Sequence, residues 1–392
     1  VDASETHEAP IWAAPEVYPA KSSVAPFGAL SRKQRRREFQ SFEALAAHVS
    51  GSRESVAAVW TPETGRMAPP EAVPELLEPL RQRFLDLADR DAADARRNSI
   101  IFLFLLGWTV MAAVSKGIAP HDSPTVGLAA LLLLVLGLVP WYDALKGRRE
   151  AWKLDETMLP REEADARFDY WLGKQRGWLT IILLACLGLA GGCQVWVGLE
   201  ESAGSAGLVK GRYFAGESWR LLTAPFLHGH PLHWVLNAGG LWYLGRRVEA
   251  LAGWPHLAMV FLGAMLCGGV ATAHLAPGRP SLGASGGLLG LLGFLLVFET
   301  LHPRLVPHPS RRRLAAALAV TFLAGFVGYR FIDNYAHGGG LAGGMIYAGV
   351  VYPRSRSARR PRPTGTDMGL GAAAVLVLTG SALLAAGLML AS

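Results

Sequence analysis

The sequence predicts an all-α polytopic membrane protein with a small soluble N-terminal region, and three observations lead there. Of 392 residues, 51% are hydrophobic and 18% charged, and the mean hydropathy is positive, a balance unusual for a soluble chain. From residue 99 onward, apolar runs recur at close to the length of about 20 residues that a bilayer crossing needs. The basic residues gather in alternate gaps between those runs, as cytoplasmic loops do.

The polar region, 1–97, comes first. Residues 1–24 are rich in Pro, Ala and Glu and read as disordered. Arg32-Lys33-Gln34-Arg35-Arg36-Arg37 reads as a solvated basic patch near the membrane. Residues 42–49 have the spacing of a short amphipathic helix, 56–60 that of a strand, and 80–95 helical periodicity. Several prolines fall between 69 and 79. No catalytic constellation occurs here.

Nine apolar runs follow, at 99–114, 126–142, 178–197, 234–251, 255–275, 282–301, 314–332, 336–352 and 368–390. The first two form a hairpin (98–142), and a basic linker (143–177) separates them from the rest. That linker carries Lys146, Arg148, Arg149, Lys153, Arg161, Arg167, Lys174 and Arg176. The loop 303–313 adds Arg304 and Arg311–Arg313, the gap after 353 adds five arginines, and Arg246 and Arg247 end the fourth run. The alternate gaps hold little base, chiefly Lys116 and Arg279. With nine crossings the basic gaps share one side, so the N-terminus is expected inside and the C-terminus outside. The exception is the outer loop 199–232, dense in aromatics and read as a segment lying in the headgroup layer. The net charge of +7 therefore points to anionic lipid, not nucleic acid. Cys186, Cys193 and Cys267 lie within apolar runs and form neither a disulfide framework nor a zinc pattern. No leader pattern opens the sequence, which favours a bacterial cytoplasmic membrane as the location.

Polar groups inside spans are expensive and mark function. His233 and Asn237 open the fourth run, Ser285 opens the sixth within Gly283-Ala284-Ser285-Gly286, and His337 opens the eighth. Two crossings separate each from the next, so all four share a depth near the outer face. Ser285 is the candidate nucleophile and His337 its base, expected about 2.6–3.5 Å apart. His233 and Asn237, four residues apart on one helix face, can donate to an oxyanion together with the Ser285 N–H. Asp333 falls in the expected loop before the eighth run, so a Ser–His dyad is favoured over a triad. Gly286, Gly290, Gly293, Gly340 and Gly344 would let the sixth and eighth helices approach closely. Competing readings are a transporter with His233, Asn237 and His337 along a polar path, and a zinc site at His228, His230 and His233. No inverted repeat supports the first, and no Cys or carboxylate set supports the second.

The residues Trp219-Arg220, Thr223, His228, His233, Asn237, Gly245, Glu249 and Gly253, then Gly283-Ala284-Ser285-Gly286, then Ala336-His337 with Gly340 and Gly344, make the chain resemble the rhomboid intramembrane serine proteases over about 178–352. The resemblance implies a six-span protease core at 178–353, preceded by the extra hairpin and followed by a basic loop and an additional span at 354–392. It implies cleavage of transmembrane segments, helix-destabilised ones in particular, near the outer face by Ser285 and His337, with no cofactor or metal. It implies an oxyanion hole at His233 and Asn237, and structural roles near the site for Trp219, Arg220, His228, Glu249, Gly283, Gly286, Gly340 and Gly344. Leu289 departs from the family, which often has an aromatic there to pack on the histidine. The resemblance also allows a catalytically silent, client-binding relative, although such proteins typically lack the serine or the histidine.

Overall fold

The computed structural model describes residues 9–21, 25–276, 278 and 280–392. Arg279, and residues 1–8 and 22–24 of the stretch expected to be disordered, lie outside that set. The chain divides into two compact units, one of residues 9–173 with 307–332 and one of 174–306 with 333–392.

The first unit opens with an ordered stretch where disorder was expected. Residues 9–21 contain 3-10 turns at Ile11–Ala13 and Pro15–Val17. Two aromatics hold them: Trp12 packs edge-on against Phe168 at 6.1 Å, and Tyr18 stacks on Tyr170 at 4.3 Å. Few rings suffice when each buries so much area. Strands β1 (Phe27–Ser31), β2 (Arg36–Phe39) and β3 (Val56–Trp60) form an antiparallel sheet in the order β2-β1-β3. Most of the basic run thus forms the β1–β2 turn and the start of an exposed edge strand, where charge discourages further pairing. Helix α1 (Phe42–Gly51) is capped by Ser41, whose hydroxyl accepts from Ala44 N–H. Its Leu45 and Val49 join Ala29, Val59, Leu76 and Leu80 in one core.

Helix α2 (Leu77–Ser115) merges the expected helix at 80–95 and the first apolar run into one rod of 39 residues. No Gly or Pro interrupts the junction at Arg96–Asn98, so nothing stops the helix there. Below it the outward side chains are apolar, with Phe104 76% exposed and Met111 68%, as suits lipid contact. The second run is also one helical rod: α3 (Pro124–Leu132), a π-helical segment Leu133–Leu138, then α4 (Val139–Trp152). Pro140 has no N–H for the Leu136 carbonyl, and Asn98 Nδ2 of α2 reaches that oxygen at 3.5 Å. Helix α5 (Leu159–Lys174) follows, so the basic linker is largely helical, and Leu154 and Leu159 complete the N-terminal core.

The second unit contains α6 (Trp178–Val197), then the short helices α7 (Leu199–Ala206), α8 (Lys210–Phe214) and α9 (Arg220–Thr223) of the loop read from sequence as the outer one. It continues with α10 (Pro231–Leu251), α11 (Trp254–Leu275) and α12 (Ser285–Leu301). Helix α13 (His308–Val327) belongs to the first unit, where Arg313 pairs with Asp165 and Asp169 at 3.0 Å. Arg311–Arg313 therefore sit in its first turns and not in a loop. Helices α14 (Asn334–Val351) and α15 (Gly365–Leu390) close the chain.

Helix α12 is buried on nearly every side, from Gly286 to Glu299, chiefly against α11 and α14. Among the described residues, five stretches are long and apolar enough to cross a membrane: 74–115, 124–152, and α6, α11 and α15; α12 is apolar but shorter. Arg247 was counted from sequence with the inner-face charges. It is instead buried in α10 and clasps Glu299 of α12 through two hydrogen bonds of 2.7 and 2.8 Å. A charge in an apolar surround is tolerable only when paired in this way.

Candidate active site

Glycine decides how closely the two helices of the proposed dyad meet. A Cβ on Gly340 of α14 would land on the carbonyl oxygen of Gly286, and one on Gly344 on that of Gly290. A Cβ on Gly293 would come 2.5 Å from the Leu341 oxygen. Only bare backbones permit this approach. At the N-terminal ends of both helices Gly286, next to Ser285, faces Ala336, next to His337: a Cβ on Gly286 would stand 3.3 Å from the Ala336 oxygen. Ser285 is the first residue of α12 and His337 lies in the first turn of α14. No hydrogen bond joins their side chains among the described residues, so the bond expected between them from the sequence is not formed in this structure.

His233 and Asn237 lie beside the same loop. Gly283 has φ +116°, a conformation that favours glycine. A Cβ there would stand 2.6 Å from His233 Cε1 and 3.4 Å from Asn237 Nδ2. The structure therefore gathers all four residues at the start of α12. The Ser285 N–H is one of the donors left unpaired within α12 itself at its N-terminus, where the helix dipole also favours negative charge.

The surrounding residues fix these positions. His228 Nε2 meets Asn237 Nδ2 at 2.9 Å, so the ring accepts from the amide. Its backbone N–H donates to Gln194 Oε1 at 2.7 Å, and its ring packs edge-on to His233 with centroids 5.1 Å apart. In His230, the other histidine weighed as a zinc ligand, Nδ1 accepts from Leu232 N–H as the α10 cap. Among the described residues no group of His, Cys, Asp and Glu is arranged to hold a metal. Arg220 donates to the Gly207 and Gly204 carbonyls at 2.7 and 3.2 Å and to Glu217 at 2.6 Å, and its guanidinium lies 4.5 Å from the Trp219 ring centroid. That ties the outer loop into one piece. Glu249 accepts from the Leu179 and Thr180 N–H groups at 3.0 and 3.1 Å, closing the N-terminus of α6. The loop before Ser285 is bound to the outer loop as well: Leu208 and Ser281 exchange backbone hydrogen bonds, and Gly283 N–H donates to Ala224 O at 3.1 Å. Leu289 is buried within α12.

A small open cleft lies beside Gly283, Gly286 and Ala336, with Leu208, Leu221 and Met265 in its wall. Residues 215–354 match the family model described as Rhomboid domain. This chain carries a rhomboid domain. Relatives of that domain include Rhomboid protease GluP of Bacillus subtilis, 33% identical over 35% of this chain and 26% of that protein. RHOMBOID-like protein 4 of Arabidopsis thaliana is 30% identical over 35% of each chain. Inactive rhomboid protein 1 of Rattus norvegicus is 30% identical over 34% of this chain and 16% of that protein. The aligned part thus spans about a quarter and a third of the first two relatives. Relatives of the rhomboid domain include both proteases and inactive proteins.

Two features around the candidate site escaped the sequence reading. Asp333 is the N-cap of α14 rather than a loop residue, with Oδ1 accepting from Ala336 N–H at 2.9 Å. An acid directly before a helical run is the signal that marks it. Gln194 is a buried amide in an apolar run, visible as such in the sequence, but its partner lies 34 residues away.

Proposed function

We propose that this chain is an intramembrane serine endopeptidase that cleaves transmembrane segments near their outer ends by a Ser285–His337 dyad. The observation that carries the reading is the close approach of α12 and α14 at Gly286 and Ala336, the residues adjoining the two side chains. In the reaction His337 takes the Ser285 proton as Oγ attacks the scissile carbonyl. The Ser285 N–H, the Asn237 amide and the His233 ring donate to the oxyanion. The tetrahedral intermediate expels the amine, which receives the proton from His337, and leaves an acyl-serine. Water, deprotonated by His337, attacks that ester, releases the carboxylic product and returns the proton to Ser285. The apolar wall of the cleft, with Leu208, Leu221 and Met265, suits an apolar substrate side chain.

In the same reading the core is six spans at 178–353, namely α6 and α10–α14, with the α2–α4 hairpin before it and α15 after it. The chain crosses a bacterial cytoplasmic membrane with its N-terminus inside. Its substrates are membrane proteins whose helices are locally destabilised, because the peptide must be extended to reach Ser285. The test is cleavage of such a substrate by the purified chain in detergent beside Ser285→Ala. Wild type is expected to cleave and the variant to lose at least about 10⁴-fold in kcat; equal rates would end the assignment. A second reading, a silent client-binding rhomboid, draws on the similarity to Inactive rhomboid protein 1. This chain retains both Ser285 and His337, and labelling of Ser285 by a fluorophosphonate probe would reject that reading.

A further inference from the structure

Within the second unit one carboxylate touches every segment that carries the proposed dyad. Asp333 Oδ1 accepts from Ala336 N–H at 2.9 Å, one residue before His337. Its Oδ2 accepts from Ser281 Oγ at 2.6 Å, four residues before Ser285, and from Thr272 Oγ1 of α11 at 2.7 Å. Lys210 of α8 is itself buried, and its Nζ donates to the Ala276 carbonyl just past the end of α11. Ser281 in turn exchanges backbone hydrogen bonds with Leu208 of the outer loop. Three elements therefore converge on one side chain: the start of α14, the end of α11 and the loop leading into α12.

We propose that Asp333 is a positioning residue that sets the height and rotation of His337 relative to Ser285. This rests on the protease reading above. The physical argument is one of registers. The glycine faces of α12 and α14 let the helices touch, but a smooth small-residue seam resists sliding weakly because it has few interlocking side chains. A carboxylate pinned to both sides of the seam stops such sliding, since charge-assisted hydrogen bonds are short and directional. Asp333 does not touch the reacting atoms; it acts through the Ala336 backbone and through Ser281. A misplacement of about 1 Å between nucleophile and base can cost roughly a hundredfold in rate, so a modest slip suffices to matter.

The experiment uses the full chain in proteoliposomes with a helix-destabilised transmembrane substrate, reading kcat, KM and the rate of fluorophosphonate labelling of Ser285. Asp333→Ala is expected to lose roughly tenfold to a hundredfold in kcat, with KM within about twofold of wild type and labelling slowed in parallel. Asp333→Asn, which can still cap α14 and meet both hydroxyls, is expected to recover most of that loss. Ser281→Ala is expected to lose about threefold in kcat, and Asp333→Ala/Ser281→Ala to be no worse than Asp333→Ala, since both remove one shared link. Wild-type kcat in a folded Asp333→Ala, an effect on KM alone, or independent losses in the double variant would overturn the proposal. If Asp333→Ala does not fold, Ser281→Ala decides: unchanged kcat and labelling overturn the proposal. A wild type that neither cleaves nor labels overturns the protease reading and this proposal together, which is distinct from an active wild type with indifferent variants.

Discussion

Asn237 illustrates how far one side chain's role follows from its neighbours. Its amide nitrogen is turned toward His228 Nε2 at 2.9 Å while lying beside Gly283. The side chain is buried and held before any substrate arrives, as an oxyanion donor must be. Replacing Asn237 with Ala is expected to lower kcat by about 10²–10³ with little change in KM, measured on the same transmembrane substrate. Ser285, His337, His233 and Asn237 could be singled out as candidates in the sequence because polar groups stand out in apolar runs. Asp333 was not, because a loop and a helix cap differ by one turn of backbone, and sequence does not fix that boundary. The Arg247–Glu299 pair was hidden for another reason: each charge stands near a helix end, where solvent exposure is the ordinary expectation, and 52 residues separate them.

At the scale of elements, the seam between α12 and α14 is the part on which the site rests most heavily. Gly344 faces the Gly290 carbonyl, whereas nothing lies within 4 Å of a Cβ placed on Gly349 of the same helix. Gly344→Ala is expected to cost about 1–3 kcal/mol by overpacking, seen as a lower thermal midpoint in detergent together with lost cleavage. Gly349→Ala should leave both unchanged; a variant pair that behaves alike would contradict the seam. The apolar periodicity read this seam correctly as a meeting of small residues, and α6 has the ends that its hydropathy suggested. The reading stopped short where helices run past their apolar segments. Helix α2 begins 22 residues before its apolar run, and α13 begins with its arginines. Hydropathy reports where lipid is, whereas a helix ends only where its backbone is interrupted or capped.

For the molecule as a whole, the N-terminal unit is a folded module with its own titration behaviour. Glu71 has one carboxyl oxygen buried without a hydrogen-bond partner. Burial, aided by Glu162 and opposed by Arg83, raises its pKa to about 7. The folded state then holds a proton that the unfolded chain releases. Stability of the module should fall as pH climbs from about 4.5 to about 7, by about 3 kcal/mol at most, and level off above. Glu71→Gln is expected to remove that slope and raise the unfolding midpoint at pH 8, followed by the fluorescence of Trp12 and Trp60 in the full chain. An unchanged slope would show that Glu71 ionises freely. The module's sheet was only partly visible beforehand, since β1 and β2 have short, mixed patterns that a propensity reading cannot separate from loop. The uninterrupted α2 carries a mechanical implication of its own. A helix of 39 residues is about 58 Å long, and its first turns are cemented into the module's core through Leu76 and Leu80. Such a strut has no joint, so the module cannot drift on a leash above the lipid. A torque applied at the core would be carried along the same rod to its apolar end.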